Sequence, residues 1–195
     1  MPSGRPQEFN DDDVIASAMN TFWANGFDGT SMQQLLQSTG LSKSSLYQSF
    51  GGKRELFMRC LEQYTVAMKD KLLTQLSTSR SGIEFIRSVL LSAADETRGK
   101  ALPKGCLIMN TATEFAQGDA AIAKVVTKGI ESFRLVFLTA LKKAQDNHEL
   151  AEDSDVRQLA SYVVSSMSGI KSMVKGGADE AAIRAIVDIV MRSIQ

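Results

Sequence analysis

Between Gly29 and Lys53 the sequence reads GTSMQQLLQSTGLSKSSLYQSFGGK and holds no acidic residue, while the whole chain balances 22 Lys and Arg against 22 Asp and Glu. Within this stretch Ser42, Lys43, Ser44, Ser45, Tyr47 and Gln48 set hydroxyl, ammonium and amide donors almost side by side. Small or flexible donors of this kind suit a nucleic-acid duplex, where some reach base edges and neighbouring ones hold phosphates. Lys53 comes at the head of the next helical pattern, where a cation and unsatisfied backbone N–H groups together form a phosphate clamp. The acidic side chains of the first 60 residues, Glu8, Asp11, Asp12, Asp13, Asp28 and Glu55, lie outside this face. Bulk charge lends no support to nucleic-acid binding, so the argument rests on local pattern alone.

A second chemical possibility is PKGCLIMNTATEFA, residues 103–116. Cys106 falls after Gly105 and beside Lys104 in the expected first turn of a helix, where the dipole and a nearby cation stabilise thiolate. The opposing reading is inert packing, which is the expectation for Cys60 at a core-like position. The two cysteines, with no CxxC or Cys/His cluster, predict reduced thiols, no disulfide framework and no metal site. The single histidine, His148, sits in a polar connection and is expected to be solvated. With no Ser-His-Asp set, metal cluster or phosphate loop, the sequence does not read as an enzyme, and no cofactor is expected.

These residues must be positioned by helices. Only three prolines occur, at positions 2, 6 and 103, and apolar residues recur at spacings of three and four throughout, which predicts an all-α chain. The first helix is expected to start near Asn10 or Asp11, to carry Val14, Ala18 and Phe22 inward, and to end at Gly26 in a left-handed conformation. Thr30 or Ser31 caps a short second helix with Leu35 and Leu36, Gly40 breaks it, and Ser42 caps a third through Tyr47 anchored by Leu41 and Leu46. Helix, tight glycine turn, helix is a helix-turn-helix. A long fourth pattern runs from Lys53 to the polar stretch at 77–82, and further helices are expected at 83–98, 105–116, 119–146, 154–175 and 179–194, nine in all. The expected division is 1–52 and 53–195.

The segment GFDGTSMQQLLQSTGLSKSSLYQSFGGKRELF resembles the signature of the TetR/AcrR family. A G-[FY]-x-x-[TS]-[TS] entry precedes an A-G-[VL]-S turn, a recognition helix carrying L-Y-x-x-F and a following Lys, in the right order and spacing. Ser49 stands where His or Tyr is frequent, and Thr39 replaces the usual Ala before Gly40. The resemblance implies a homodimeric transcriptional regulator whose first domain binds double-stranded operator DNA and whose second senses an unidentified small effector. It implies DNA contacts from Tyr47, Lys43, Ser44, Ser45, Thr30, Ser31 and Lys53, and Gln33 lies where the second helix can add a base contact. The KGCL turn is similar to one found in a subgroup that includes electrophile- and oxidant-responsive repressors.

The family also implies a ligand pocket and a four-helix dimer interface built by the last two helices. Tyr64, Met68, Met109, Phe133 and Phe137 are candidate apolar lining, with Asn110 and Thr113 as polar contacts and Cys106 at the base; plain core is the alternative for the same residues. On the last helix Ile183, Ile186, Val187 and Val190 recur at three and four, and on the preceding one Val163, Met167 and Ile170 do so. They are expected at the dimer interface, the alternative being an intramolecular core. No apolar run is long enough to span a membrane and no signal peptide is visible, so no membrane partner and a cytoplasmic location are expected. The function expected is that of a repressor released by a small ligand or by thiol modification. The competing readings are a helical small-molecule-binding protein with a vestigial DNA-binding head and a DNA-associated interaction protein without an effector.

Overall fold

The computed structural model describes residues 10–98, 103–115 and 118–195. Most helices begin where the sequence supplies a cap. Asn10 accepts from the Asp12 backbone N–H at 2.9 Å, and Asp11, Asp12 and Asp13 occupy the positive end of α1 (Asp11–Asn25). Ser31 caps α2 (Met32–Thr39) in a capping box: its hydroxyl accepts from the Gln34 N–H, and the Gln34 amide oxygen accepts from the Ser31 N–H at 2.7 Å. Gly40 takes the left-handed conformation, φ 70° and ψ 7°, that turns the chain into α3 (Lys43–Phe50), capped by Ser42. Gly26 differs from expectation. Its φ of 75° is positive, but ψ is 175°, so the turn that follows α1 starts outside the left-handed helical region.

Beyond α3 come α4 (Lys53–Thr78), α5 (Gly82–Asp95) with a single 3-10 turn at Glu96–Arg98, α6 (Leu107–Glu114), α7 (Ala120–Asp146), α8 (Val156–Lys175) and α9 (Glu180–Ile194). Among the described residues there are nine α-helices and no strand. The expected helix end at 116 lies outside the described residues. None of the described helices is long and apolar enough to cross a membrane.

The chain divides into two compact units, one up to Tyr64 and one from Thr65. This is later than the boundary expected after residue 52. The reason is packing: the first turns of α4 bury Leu56, Phe57, Cys60 and Leu61, and Phe57 meets Phe22 of α1 with ring centroids 4.8 Å apart. Val14, Ala18, Leu35, Leu46 and Phe50 are also buried in this unit. Each large apolar side chain removed from water contributes about 1.5–3 kcal/mol. Three short helices could not bury enough apolar surface without the start of the fourth.

In the second unit α7 packs along α8, α5 and α6, while α9 packs on α5 and α8. Phe85 of α5 and Phe137 of α7 meet at 5.9 Å. Polar contacts fix the rim: Arg87 pairs with Asp188 at 3.0 Å, Arg98 with Glu180, and Lys171 with Glu96. Where α7 crosses α4, Gly129 is buried, and a Cβ there would stand 3.0 Å from Thr65 Oγ1 and 3.1 Å from Ile108 Cδ1 of α6. Three helices therefore meet at a point where an added Cβ would press on the side chains of Thr65 and Ile108.

Candidate nucleic-acid interface

Lys43, Ser44, Tyr47 and Gln48 of α3 are exposed, whereas Leu46 and Phe50 are buried. Positions 43, 44, 47 and 48 share one arc of a helix, so a polar face is held outward by an apolar one packed in the core. Tyr47 is 51% exposed, unusual for a large aromatic side chain that serves only packing. Ser31 and Gln33 are likewise exposed at the first turn of α2. Gln34, next to Gln33, is tied back to the cap, which leaves Gln33 to face outward from that turn.

Not every candidate keeps its side chain available. Thr30 is fully buried, and its hydroxyl donates to the Gly26 carbonyl at 2.6 Å. The DNA contact expected of Thr30 is therefore corrected to a structural role, that of closing the turn that delivers Ser31. Ser42, Ser44 and Ser45 hydrogen-bond to one another through Ser42 Oγ, at 3.0 and 2.8 Å, and Ser42 Oγ also accepts the Ser45 N–H at 3.1 Å. Ser45 is half-buried, so Ser44 presents the freest approach of the three. Lys53 is half-buried at the start of α4, its ammonium 4.2 Å from the centroid of the Phe27 ring. A cation over an aromatic face is attracted by the ring quadrupole.

Sequence reasoning missed this role of Phe27, because Phe27 and Lys53 meet through tertiary packing. It also passed over Gln34, although Ser-x-x-Gln before an apolar pair is a legible capping-box spacing. Arg59, over the Phe50 ring at 5.2 Å and near Asp11, adds a further cation on the first unit.

Residues 14–60 match the model for bacterial regulatory proteins of the tetR family, and residues 82–190, more than half of the chain, match that of the tetracyclin repressor-like C-terminal domain. The chain belongs to the TetR family of transcriptional regulators. Among TetR-family relatives, the uncharacterised HTH-type regulator YezE of Bacillus subtilis is 30% identical over 187 residues, covering 95% of this chain and 96% of the relative. The HTH-type repressor ComR of Escherichia coli is 26% identical, covering 97% and 90%. A cysteine mutant of the TetR-family regulator CifR, solved with a 26-base-pair double-strand operator, superposes with a TM-score of 0.86 at 23% identity, covering 98% of this chain and all of that one. The reduced form of Escherichia coli NemR gives 0.84 at 18% identity, covering 92% and 94%. At these identities the two structures establish a common fold.

Among the described residues of this TetR-family chain, the candidate pocket residues lie in different settings. Phe133 and Phe137 are buried core, 6% and 2% exposed, and Tyr64 belongs to the first unit, edge-on to Trp23 at 5.1 Å. Thr113 is exposed, and its hydroxyl donates to the Asn110 carbonyl at 2.7 Å. Met68 is half-buried on α4, and Met109 lines an open groove of about 330 Å³ with Ile130, Arg134, Ser161, Val164, Ser165 and Ser168. Asn110 is used locally: its amide nitrogen donates to the Lys104 carbonyl at 2.8 Å. Cys106 is the N-cap residue of α6 rather than a member of its first turn, half-buried and with no side-chain cap hydrogen bond. Lys175 approaches the same turn, its Cδ 3.5 Å from where a Cβ on Gly105 would stand.

The expected dimer residues are largely spent within one chain. Val163, Ile170, Ile183, Val187 and Val190 are at most 5% exposed, so no second subunit can cover them. The spacing of three and four does mark an apolar stripe, but that stripe faces the chain's own core. Met167 and Ile186 remain half-open, and the outward apolar side chains of α8 and α9 are Tyr162, Met173 and Ile189.

Proposed function

We propose that the chain is a homodimeric repressor that binds double-stranded operator DNA through α3 and the start of α2, and that an effector acting on the second unit releases it. The observation that carries the DNA reading is the exposed arc Lys43, Ser44, Tyr47 and Gln48, backed by buried Leu46 and Phe50 in a segment without acids. Lys43 and Gln48 can reach base edges, while Tyr47, Ser31 and Lys53 hold phosphates. The operator DNA solved with CifR and the repressor names of ComR and BdcR support the same reading. Two recognition helices related by a two-fold axis match a quasi-palindromic site. The exposed Tyr162, Met173 and Ile189, beside half-open Met167 and Ile186, supply apolar surface for that pairing.

Release has two candidate signals. A small ligand is one; modification of Cys106 is the other, supported by its place at a helix N-terminus beside Lys104. The experiment is capture of genomic fragments by the purified protein, sequencing, and titration of the recovered duplex over a salt series. Binding as a dimer with affinity falling steeply in salt is expected. Lys53→Ala should weaken operator and random duplex alike and flatten the salt slope, whereas Gln33→Ala and Lys43→Ala should cost more on operator. Failure to retain any fragment would instead favour a vestigial head. Wild type and Cys106→Ser, each with and without mild oxidant, separate the two signals: identical behaviour leaves a noncovalent ligand.

A further inference from the structure

The turn between α3 and α4 is Gly51-Gly52, and Gly52 is buried although it lies at the surface end of both helices. What covers it is specific. A Cβ on Gly52 would meet Tyr47 Cε1 at 3.3 Å and Cδ1 at 3.7 Å, and Glu55 Oε2 at 3.3 Å. The Tyr47 ring edge therefore rests on bare backbone, with the Glu55 carboxylate beside the same spot. Gly51 adds to the shelf, since a Cβ there would stand 3.3 Å from Glu55 Cγ. Arg54 pairs with Glu55 at 3.3 Å, which offsets a negative charge that would otherwise sit next to a phosphate-binding face.

We propose that Gly52 is a positioning residue for Tyr47: the glycine shelf, walled by Glu55, seats the exposed ring in one pose on the DNA-facing surface before DNA arrives. This rests on the reading of α3 as the recognition helix and adds how its aromatic contact is preset. An exposed tyrosine that must be ordered on binding weakens association; one already seated on backbone loses less freedom. The backbone at Gly52, φ 136°, is also closed to ordinary side chains, so no other residue builds this shelf without strain. A side chain at 52 would make the flexible ring yield first and lift off its seat.

The test is a double-mutant cycle on the full-length dimer, with Gly52→Ala, Tyr47→Ala and both, titrated against the recovered operator duplex with thermal unfolding of each variant alongside. Expected is a loss of operator affinity of at least about threefold for Gly52→Ala in the Tyr47 protein. That loss should shrink to none in the Tyr47→Ala background. Strain in the turn, by contrast, would lower the unfolding temperature in both backgrounds. Should Gly52→Ala fail to fold, Glu55→Ala removes the wall without touching the backbone, and the cycle cancels its charge effect. An equal affinity loss with and without Tyr47, or no loss at all, overturns the proposal while leaving operator binding intact. If wild type binds no duplex, the DNA reading itself has failed; if only Tyr47→Ala is silent, the ring has no contact to be positioned for and this proposal falls alone.

Discussion

Two cysteines of one chain end in opposite chemical settings. Cys60 is fully buried, its thiol donating toward the Ile15 carbonyl at 3.6 Å, and burial pushes its pKa up to about 12. The folded state therefore holds this proton more tightly than the unfolded chain does. The resulting stabilisation is complete below the ordinary thiol range near 9 and drains away as pH rises toward 12. Chemical denaturation of wild type between pH 8 and 11 should show stability falling by up to roughly 1.4 kcal/mol per pH unit from this one group. Cys60→Ala should lose that part of the slope, and an unchanged slope would mean the thiol ionises in place. In the same native protein a thiol-specific electrophile should label Cys106 well ahead of Cys60, read by mass spectrometry of peptides.

At the scale of elements, caps and crossings divide the labour. Side-chain caps at Asn10, Ser31, Ser42, Ser81, Asp119, Asp155 and Asp179 fix where helices begin, and each is a local choice of polar residue. Crossings are fixed by residues that say nothing locally. Gly129 sits inside α7, where a glycine weakens a helix by about 1 kcal/mol relative to alanine. Here an opposing cost enters, because a Cβ at 129 meets Thr65 and Ile108 at 3.0–3.2 Å and both must give way. Gly129→Ala should therefore destabilise the protein by about 1–3 kcal/mol in a denaturant titration. Shortening Ile108 to Val in that background should recover part of the loss, and a Gly129→Ala protein more stable than wild type would show that the crossing can open.

The whole molecule poses a question of which apolar surface belongs to whom. Val187 is closed inside the chain, and Ile189, two positions on, is 53% exposed. Val187→Asp should unfold the protomer, since an unpaired carboxylate in the core costs several kcal/mol. Ile189→Asp should leave the protomer folded by circular dichroism and turn dimer into monomer by sedimentation, with operator affinity lost in parallel. A stable dimer carrying Ile189→Asp would move the interface elsewhere.

The sequence determined the helices, their order and their starts, because capping, helix dipole and the three-four spacing of apolar residues are written in near neighbours. The segment proposed for DNA contact was legible as well: Ser31, Gln33, Lys43, Ser44, Tyr47, Gln48 and Lys53 lie within a short stretch whose polar and apolar residues alternate at helical period. Tertiary structure decided which of several apolar stripes became core. Periodicity marks a buried face without naming what buries it, so Val163, Ile183 and Val187, expected at the dimer interface, lie instead in the chain's own core. The same limit hid Thr30, buried by its own turn, and Phe27, which meets Lys53 only after the chain has folded back. It hid Gly52 as well, since a missing Cβ has meaning only once Tyr47 and Glu55 stand beside it.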